Sequence, residues 1–298
     1  TAGGLASSAF GWSNTASAEN ASAFGYVNEA SGLASSALGF RNKAANENAS
    51  AVGYGNNAGG VASSAFGFSN VAKVDYASAF GYSNEASGLA SSAVGFRNKA
   101  ASENASAVGY GNNANALAAS AVGYNNTAGG VGSSTIGYNN TATNENASAF
   151  GYGNTAGGLA SSAFGFSNTA SGDNANAFGY NNIASGSKSN VFGTGNTVSG
   201  SSSTAVGTAN EVAAENSTAI GNNNTISSGA ENSAALGNNI SISLKDSVAL
   251  GNNSTATAIN SVTGNSSYTK WAGVSDVVGV VSVGSSGATR QIQNVAAG

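Results

Sequence analysis

Glycine recurs at every fourteenth position of this 298-residue chain, from Gly11, Gly25 and Gly39 through Gly207 and Gly221. Two more copies follow at Gly237 and Gly251, after one slip of two residues. A fourteen-residue unit is too short to enclose a core, so it buries apolar surface only by stacking on its neighbours. The period therefore dictates a solenoid in which each repeat is one rung. Low charge with abundant Gly, Ser and Asn also suits disorder, but a disordered chain has no reason to hold an apolar register in phase. Eighteen rungs at about 4.8 Å each predict a rod of roughly 85 Å.

The segment Ala21 to Ala30 serves as the type rung. The residue before the glycine is apolar in every copy (Phe10, Phe24, Leu38, onward to Leu250), and the residue two before it is Ala except at Thr135 and Val191. Alternation at period two with aromatic and β-branched residues marks a strand. The large side chain as in Phe24 takes one face; Ala23 and Gly25 take the other. Both faces read as buried, and a second copy of the chain is the simplest cover for the Ala/Gly face. The absence of Pro fits a backbone whose N–H groups are needed in ladders.

Further columns follow from the same phase. The residue after the glycine is aromatic in thirteen consecutive rungs, from Trp12 and Tyr26 to Phe166 and Tyr180, then becomes Thr194, Thr208, Asn222, Asn238 and Asn252. Such rings stack at the strand spacing. Free interchange of Tyr and Phe favours a structural ladder over a carbohydrate platform. Three residues past the glycine, Asn runs unbroken from Asn14 through Asn28 to Asn224; it is expected to form the turn, its amides bonding along the stack. Four past the glycine, Glu29 precedes Lys43 and Glu85 precedes Lys99 by one rung, which stacking makes into ion pairs.

Six before the glycine, apolar and acidic residues alternate. The apolar members are Leu5, Leu33, Val61, Leu89, Leu117, Val131 and Leu159; Glu19, Glu47, Asp75, Glu103, Glu145 and Asp173 intervene, with Leu117 an extra apolar rung. The sequence unit is thus two rungs. Residues 31–58 and 87–114 differ only at Leu38/Val94 and Asn46/Ser102. The apolar row is the candidate ligand-contact surface; the alternative is that it packs against a neighbouring subunit.

Composition removes most chemistry. There is no His and no Cys, and the net charge is −4. This excludes the commonest general base, the thiol nucleophile, most transition-metal ligands and disulfides, and makes a poor nucleic-acid binder. No cofactor and no metal site are expected. No apolar run is long enough for a transmembrane helix. Asn20, Asn48, Asn104 and Asn146 fit the N-glycosylation pattern as by-products of the repeat. Gly151-Tyr152-Gly153 is too short for a nucleotide loop, and Arg41 with Lys43 and Arg97 with Lys99 read as solvated surface.

Near Gly264 the period fails. Rungs such as Ser217-Thr218-Ala219-Ile220-Gly221 and Asp246-Ser247-Val248-Ala249-Leu250-Gly251 resemble the head repeat of YadA-like trimeric autotransporter adhesins. The segment Val281-Ser282-Val283-Gly284, leading through Arg290-Gln291-Ile292-Gln293-Asn294-Val295, resembles the neck motif of the same family. The resemblance implies an all-β, left-handed parallel β-roll, three chains about one axis, and a neck feeding a coiled-coil stalk and membrane anchor beyond Gly298. It divides the chain into an aromatic-ladder part of the head (1–185), a plainer part (186–263) and the neck (264–298). A start inside a repeat, without Met, reads as a piece of something longer.

The expected function is that of a non-catalytic adhesin head on a Gram-negative cell surface. Its expected partners are its own copies and a matrix protein, cell-surface or abiotic-surface ligand, with no nucleic acid and no membrane contact except through the anchor. Alternatives are a purely structural spacer, an ice- or crystal-binding solenoid using Thr127, Thr141, Thr155 and Thr169, and a β-helix enzyme. The last lacks any insertion long enough to wall a cleft.

Overall fold

The computed structural model describes residues 1–259 and 278–293. Two compact units result, Thr1–Ala156 and Gly157–Gly298, each a parallel β-solenoid; no helix occurs among the described residues.

In the first unit a rung consists of one five-residue and one two-residue strand, as in Ser22–Tyr26 and Glu29–Ala30. Long strands pair in parallel with long strands one period away: Ala23 opposes Ala37, Gly25 opposes Gly39 and Tyr26 opposes Phe40. Short strands do the same, Glu29 against Lys43 and Ala30 against Ala44. Every sequence column is therefore a column in space.

The interior is built from alanine. Ala16, Ala21, Ala23 and Ala30 are all fully buried. The expectation that a second chain covers the Ala face is thereby corrected. Each coil folds its short strand over its long strand, and in the first unit the narrow gap between the two sheets of one thin coil is filled by alanine methyls and other small or polar side chains, with no room for an aromatic ring. The face left open is the opposite one, where Phe24 stands half-exposed.

Methyl groups supply little hydrophobic free energy per rung, and a polar ladder supplements them. Asn28 is buried, and its Nδ2 donates to Asn14 Oδ1 at 2.9 Å, Phe24 O at 2.9 Å and Gly39 O at 2.7 Å. Its Oδ1 accepts both the backbone N–H and the Nδ2 of Asn42 at 3.0 Å. The turn assignment for this column is corrected: the left-handed residue is the one before it, Val27 at φ 54°. Asn28 itself points inward, where an amide bonds on both sides and closes the coil.

The second unit keeps this plan with a fuller core. Val191, Val198, Val212, Ile226 and Ile242 take buried positions that Ala holds elsewhere. The two-residue slip is absorbed between Ile226 and Ala234, because Ile220 pairs with Leu236 and Ile226 with Ile242 while register is kept in both sheets. The extra turn contains Gly229 at φ 90° with open space around it. The Asn column ends here: Ile240 replaces Asn, and only its backbone N–H still donates, to Asn224 Oδ1 at 3.0 Å.

Beyond Gly251 the same unit is closed by part of the expected neck. Val281 pairs with Val248 and Ser282 with Ala249, so this short strand continues the long-strand sheet. Gly284 O accepts the Thr255 N–H at 3.0 Å. The Arg290 guanidinium donates to Val283 O at 2.7 Å, to Ser254 Oγ at 3.2 Å and to Asn252 O. Ile292 is exposed. The expected neck residues Asn294 and Val295 lie outside the described residues, as do 264–277.

Candidate functional site

With the alanines inside, chemistry is confined to the outer columns. Two flank the glycine on the long-strand sheet. The pre-glycine column points outward on every rung, including Phe24, Leu38 and Val94 in the first unit and Phe192, Val206, Ile220, Leu236 and Leu250 in the second. An apolar file of this kind, exposed or half-buried from rung to rung within each unit, marks an interaction surface.

The post-glycine column is a ring stack. From Tyr26 to Tyr152 in the first unit, successive centroids lie 4.7–4.9 Å apart with interplanar angles of 3–7°. Phe166 and Tyr180 continue the pattern in the second unit at 5.2 Å. Arg41 and Arg97 lie over Phe40 and Phe96, each 5.1 Å from the centroid. Ring faces turned toward one another are closed to a sugar, which stacks on a face. Only ring edges and tyrosine hydroxyls meet solvent.

On the short-strand sheet, Glu29 pairs with Lys43 at 3.2 Å and Glu85 with Lys99 at 3.8 Å, at the registers expected from the sequence. Both pairs are about half exposed, which limits each to a few tenths of a kcal/mol. Thr127 stacks on Thr141 and Thr141 on Thr155. Gly129 and Gly157 sit two residues beyond Thr127 and Thr155, so the threonines form a single file rather than a lattice-matching plane.

The apolar row six before the glycine runs along a turn. Leu33, Leu89, Leu117, Val131 and Leu159 are 42–46% exposed, Val61 is half-buried and Leu5 is open. Two of the intervening acids brace the backbone of the preceding rung. Asp75 Oδ1 accepts the Val61 N–H at 2.8 Å, and Asp173 Oδ1 accepts the Leu159 N–H at 3.0 Å. Among the described residues no cluster of acidic side chains could hold a metal, and no helix could cross a membrane. One residue escaped the sequence reading. Tyr76 lies outside both aromatic columns, and the signal was present: it breaks a turn position otherwise filled by small or polar residues.

No curated protein matches the chain significantly. The family model for the YadA head domain repeat (2 copies) matches residues 2–27, 30–56, 58–84, 86–112, 128–154, 156–182, 199–224 and 245–262. Most matches span two rungs, the same unit that the apolar–acidic alternation marks. Two of the three long gaps also have a physical reading: 113–127 holds the extra Leu117 rung, and 225–244 holds the two-residue slip, while 183–198 has none. Heads of this family form trimers, bind external ligands and belong to Gram-negative surface autotransporters. The matches together cover more than half of the chain in units that agree with the stacked rungs, and this chain belongs to the YadA head repeats.

Proposed function

We propose that this chain is the head of a trimeric surface fibre that attaches a Gram-negative cell to host matrix, other cells or abiotic surfaces. The family and the solenoid fold are of a structural, non-enzymatic kind. The observation that carries the reading is the pre-glycine column, apolar and outward on the rungs of both units. A contact that runs the length of a head needs a column present throughout, and the aromatic ladder fails that condition after Tyr180. Three copies meeting through the pre-glycine column leave the turn columns free for ligand, and three heads per fibre multiply weak contacts.

Light scattering tests the assembly. The expected mass is three times the chain mass of 28.6 kDa. A monomer overturns the shared contact.

The row Leu33, Leu89, Leu117, Val131 and Leu159 is the proposed adhesive surface, since it is exposed and recurs along the first unit into the second. The double variant Leu33→Asp and Leu89→Asp is expected to lower attachment to polystyrene and to matrix-coated wells by about tenfold, the loss typical of removing central apolar anchors, with mass unchanged. Unaltered attachment removes the row from the contact. Loss of the trimer assigns it to the subunit interface instead.

A further inference from the structure

Tyr76 occupies a position where the fold has no use for it. Five residues before each core glycine the backbone turns through the left-handed region, and neighbouring rungs place Ala34, Asn48, Ala62, Ala90 and Asn104 there. Tyr76 adopts φ 60° at the same point. A bulky aromatic is strained in this region, whereas Asn accepts it readily. The architecture requires the left-handed turn but not an aromatic in it, and a strained ring at an exposed tip directs attention to binding.

Its surroundings are unlike those of every other described ring. The rest lie in the two columns flanking the glycines, and many are stacked on the next rung. Tyr76 stands apart, 62% exposed, where Tyr26 of the ladder is 41% exposed. The residues above and below it in its own column are Ala62 and Ala90, which carry nothing beyond Cβ, so its faces are not closed by a ring on either side. The backbone beneath is fixed: Tyr76 N donates to Val61 O at 2.8 Å, and Ala90 N donates to Asp75 O at 3.0 Å.

Two charged residues share the turn with the ring. Asp75 uses one carboxylate oxygen on the Val61 N–H, and the other has no partner among the described residues. Lys73, three residues before Tyr76 on the same turn, is exposed and makes no ion pair among the described residues. An accessible aromatic face with a free acceptor and a free ammonium is the chemistry that recognises a pyranose. The ring packs on the sugar's C–H face, the carboxylate accepts a hydroxyl proton and the ammonium donates. Nucleic acid is disfavoured by Asp75 and by the net charge of −4.

We propose that the Lys73–Tyr76 turn is a saccharide-binding site on the side of the head, with Tyr76 as the stacking platform and Asp75 as the hydroxyl acceptor. This deepens the adhesin reading and rests on it. Each copy in an assembly presents the site once, so weak single contacts gain by multivalence.

The test is binding of the assembled head to an array of defined oligosaccharides, with a proline-rich peptide and anionic phospholipid vesicles alongside. Wild-type head is expected to bind one set of array members. Tyr76→Asn is expected to weaken that binding about tenfold or more, Tyr76→Phe to keep most of it, and Asp75→Asn to lose several-fold, as for a contact centred on one aromatic anchor. Asn is the residue this column carries at Asn48 and Asn104, so Tyr76→Asn should melt no lower than wild type. No saccharide bound by wild type, equal binding by Tyr76→Asn, or Tyr76-dependent binding to the peptide or vesicles instead overturns the site. Whole-fibre attachment separates the two readings. Attachment with saccharide binding indifferent to Tyr76 sinks this site alone, and a fibre that attaches to nothing sinks the adhesin reading.

Discussion

Replacing Gly95 by alanine is expected to destabilise the head by more than about 4 kcal/mol, whereas Gly195→Asn changes stability by less than about 0.5 kcal/mol. Gly95 adopts φ +117°, and a Cβ built on it lies 2.1 Å from the carbonyl oxygen of Gly109 in the next rung. That oxygen belongs to backbone held in register from both sides, so relief requires separating two rungs rather than moving a side chain. Left-handed strain adds to the clash. Gly195 adopts φ +64° in a turn, would meet nothing within 4 Å of an added Cβ, and shares its column with Asn125 and Asn139. Asn suits that conformation and restricts the unfolded chain more than Gly does. Chemical denaturation followed by circular dichroism distinguishes the two. A stack broken at one rung should also unfold in two steps, since each rung contacts only its neighbours. An unchanged midpoint for Gly95→Ala would mean that the rungs are not in tight register.

The contrast shows what the sequence could and could not convey. Spacing alone specified the rungs, the pairing of Glu29 with Lys43 and of Glu85 with Lys99, and the ring stack, because in-register stacking turns sequence columns into spatial ones. Which face of the long strand points inward was not legible. Alternation places Ala23 and Phe24 on opposite faces but carries no sign, and the usual preference for large residues inside argues for Phe24. The thinness of the coil reverses that preference, since Ala fits between the two sheets and Phe does not. The Asn column was half legible: its repetition announced a ladder, yet the left-handed residue is the one before it, in a column whose signal is mixed, with Gly or Asn at Gly55, Gly111, Asn125 and Asn139 but Val27 and Arg41 on other rungs. Tyr76 is legible as an exception in its column, but the openness of its ring depends on the alanines stacked above and below it, which only the register supplies. The neck resemblance reached residues that contact the solenoid end, Val281, Gly284 and Arg290 among them, but spacing gave no means of foreseeing the Arg290 contacts with the carbonyls of Asn252 and Val283.

Removal of a single interior amide is expected to be nearly as damaging as the Gly95 clash. Asn84 donates through Nδ2 to Asn70 Oδ1 at 3.0 Å, Phe80 O at 2.9 Å and Gly95 O at 2.7 Å. Its Oδ1 accepts the Asn98 N–H at 2.9 Å and the Asn98 Nδ2 at 3.0 Å. In Asn84→Ala the carbonyls of Phe80 and Gly95 lose this donor, and the Asn98 N–H loses its acceptor in an interior closed to water. At about 1–3 kcal/mol for each of these three groups left unsatisfied, the expected cost is roughly 3–9 kcal/mol. The chain itself marks where the amide becomes dispensable. At Ile240 an apolar side chain ends the column, and its backbone N–H still satisfies Asn224 Oδ1; no further ladder amide depends on it. An outward asparagine provides the control. Asn113 Oδ1 is buried without a partner, and the next rung carries Thr127 in the same column. Asn113→Thr is therefore expected to be neutral or slightly stabilising. Equal midpoints for Asn84→Ala and Asn113→Thr would show that the stacked amides contribute nothing, leaving the alanine core and the backbone ladders to hold the rungs together.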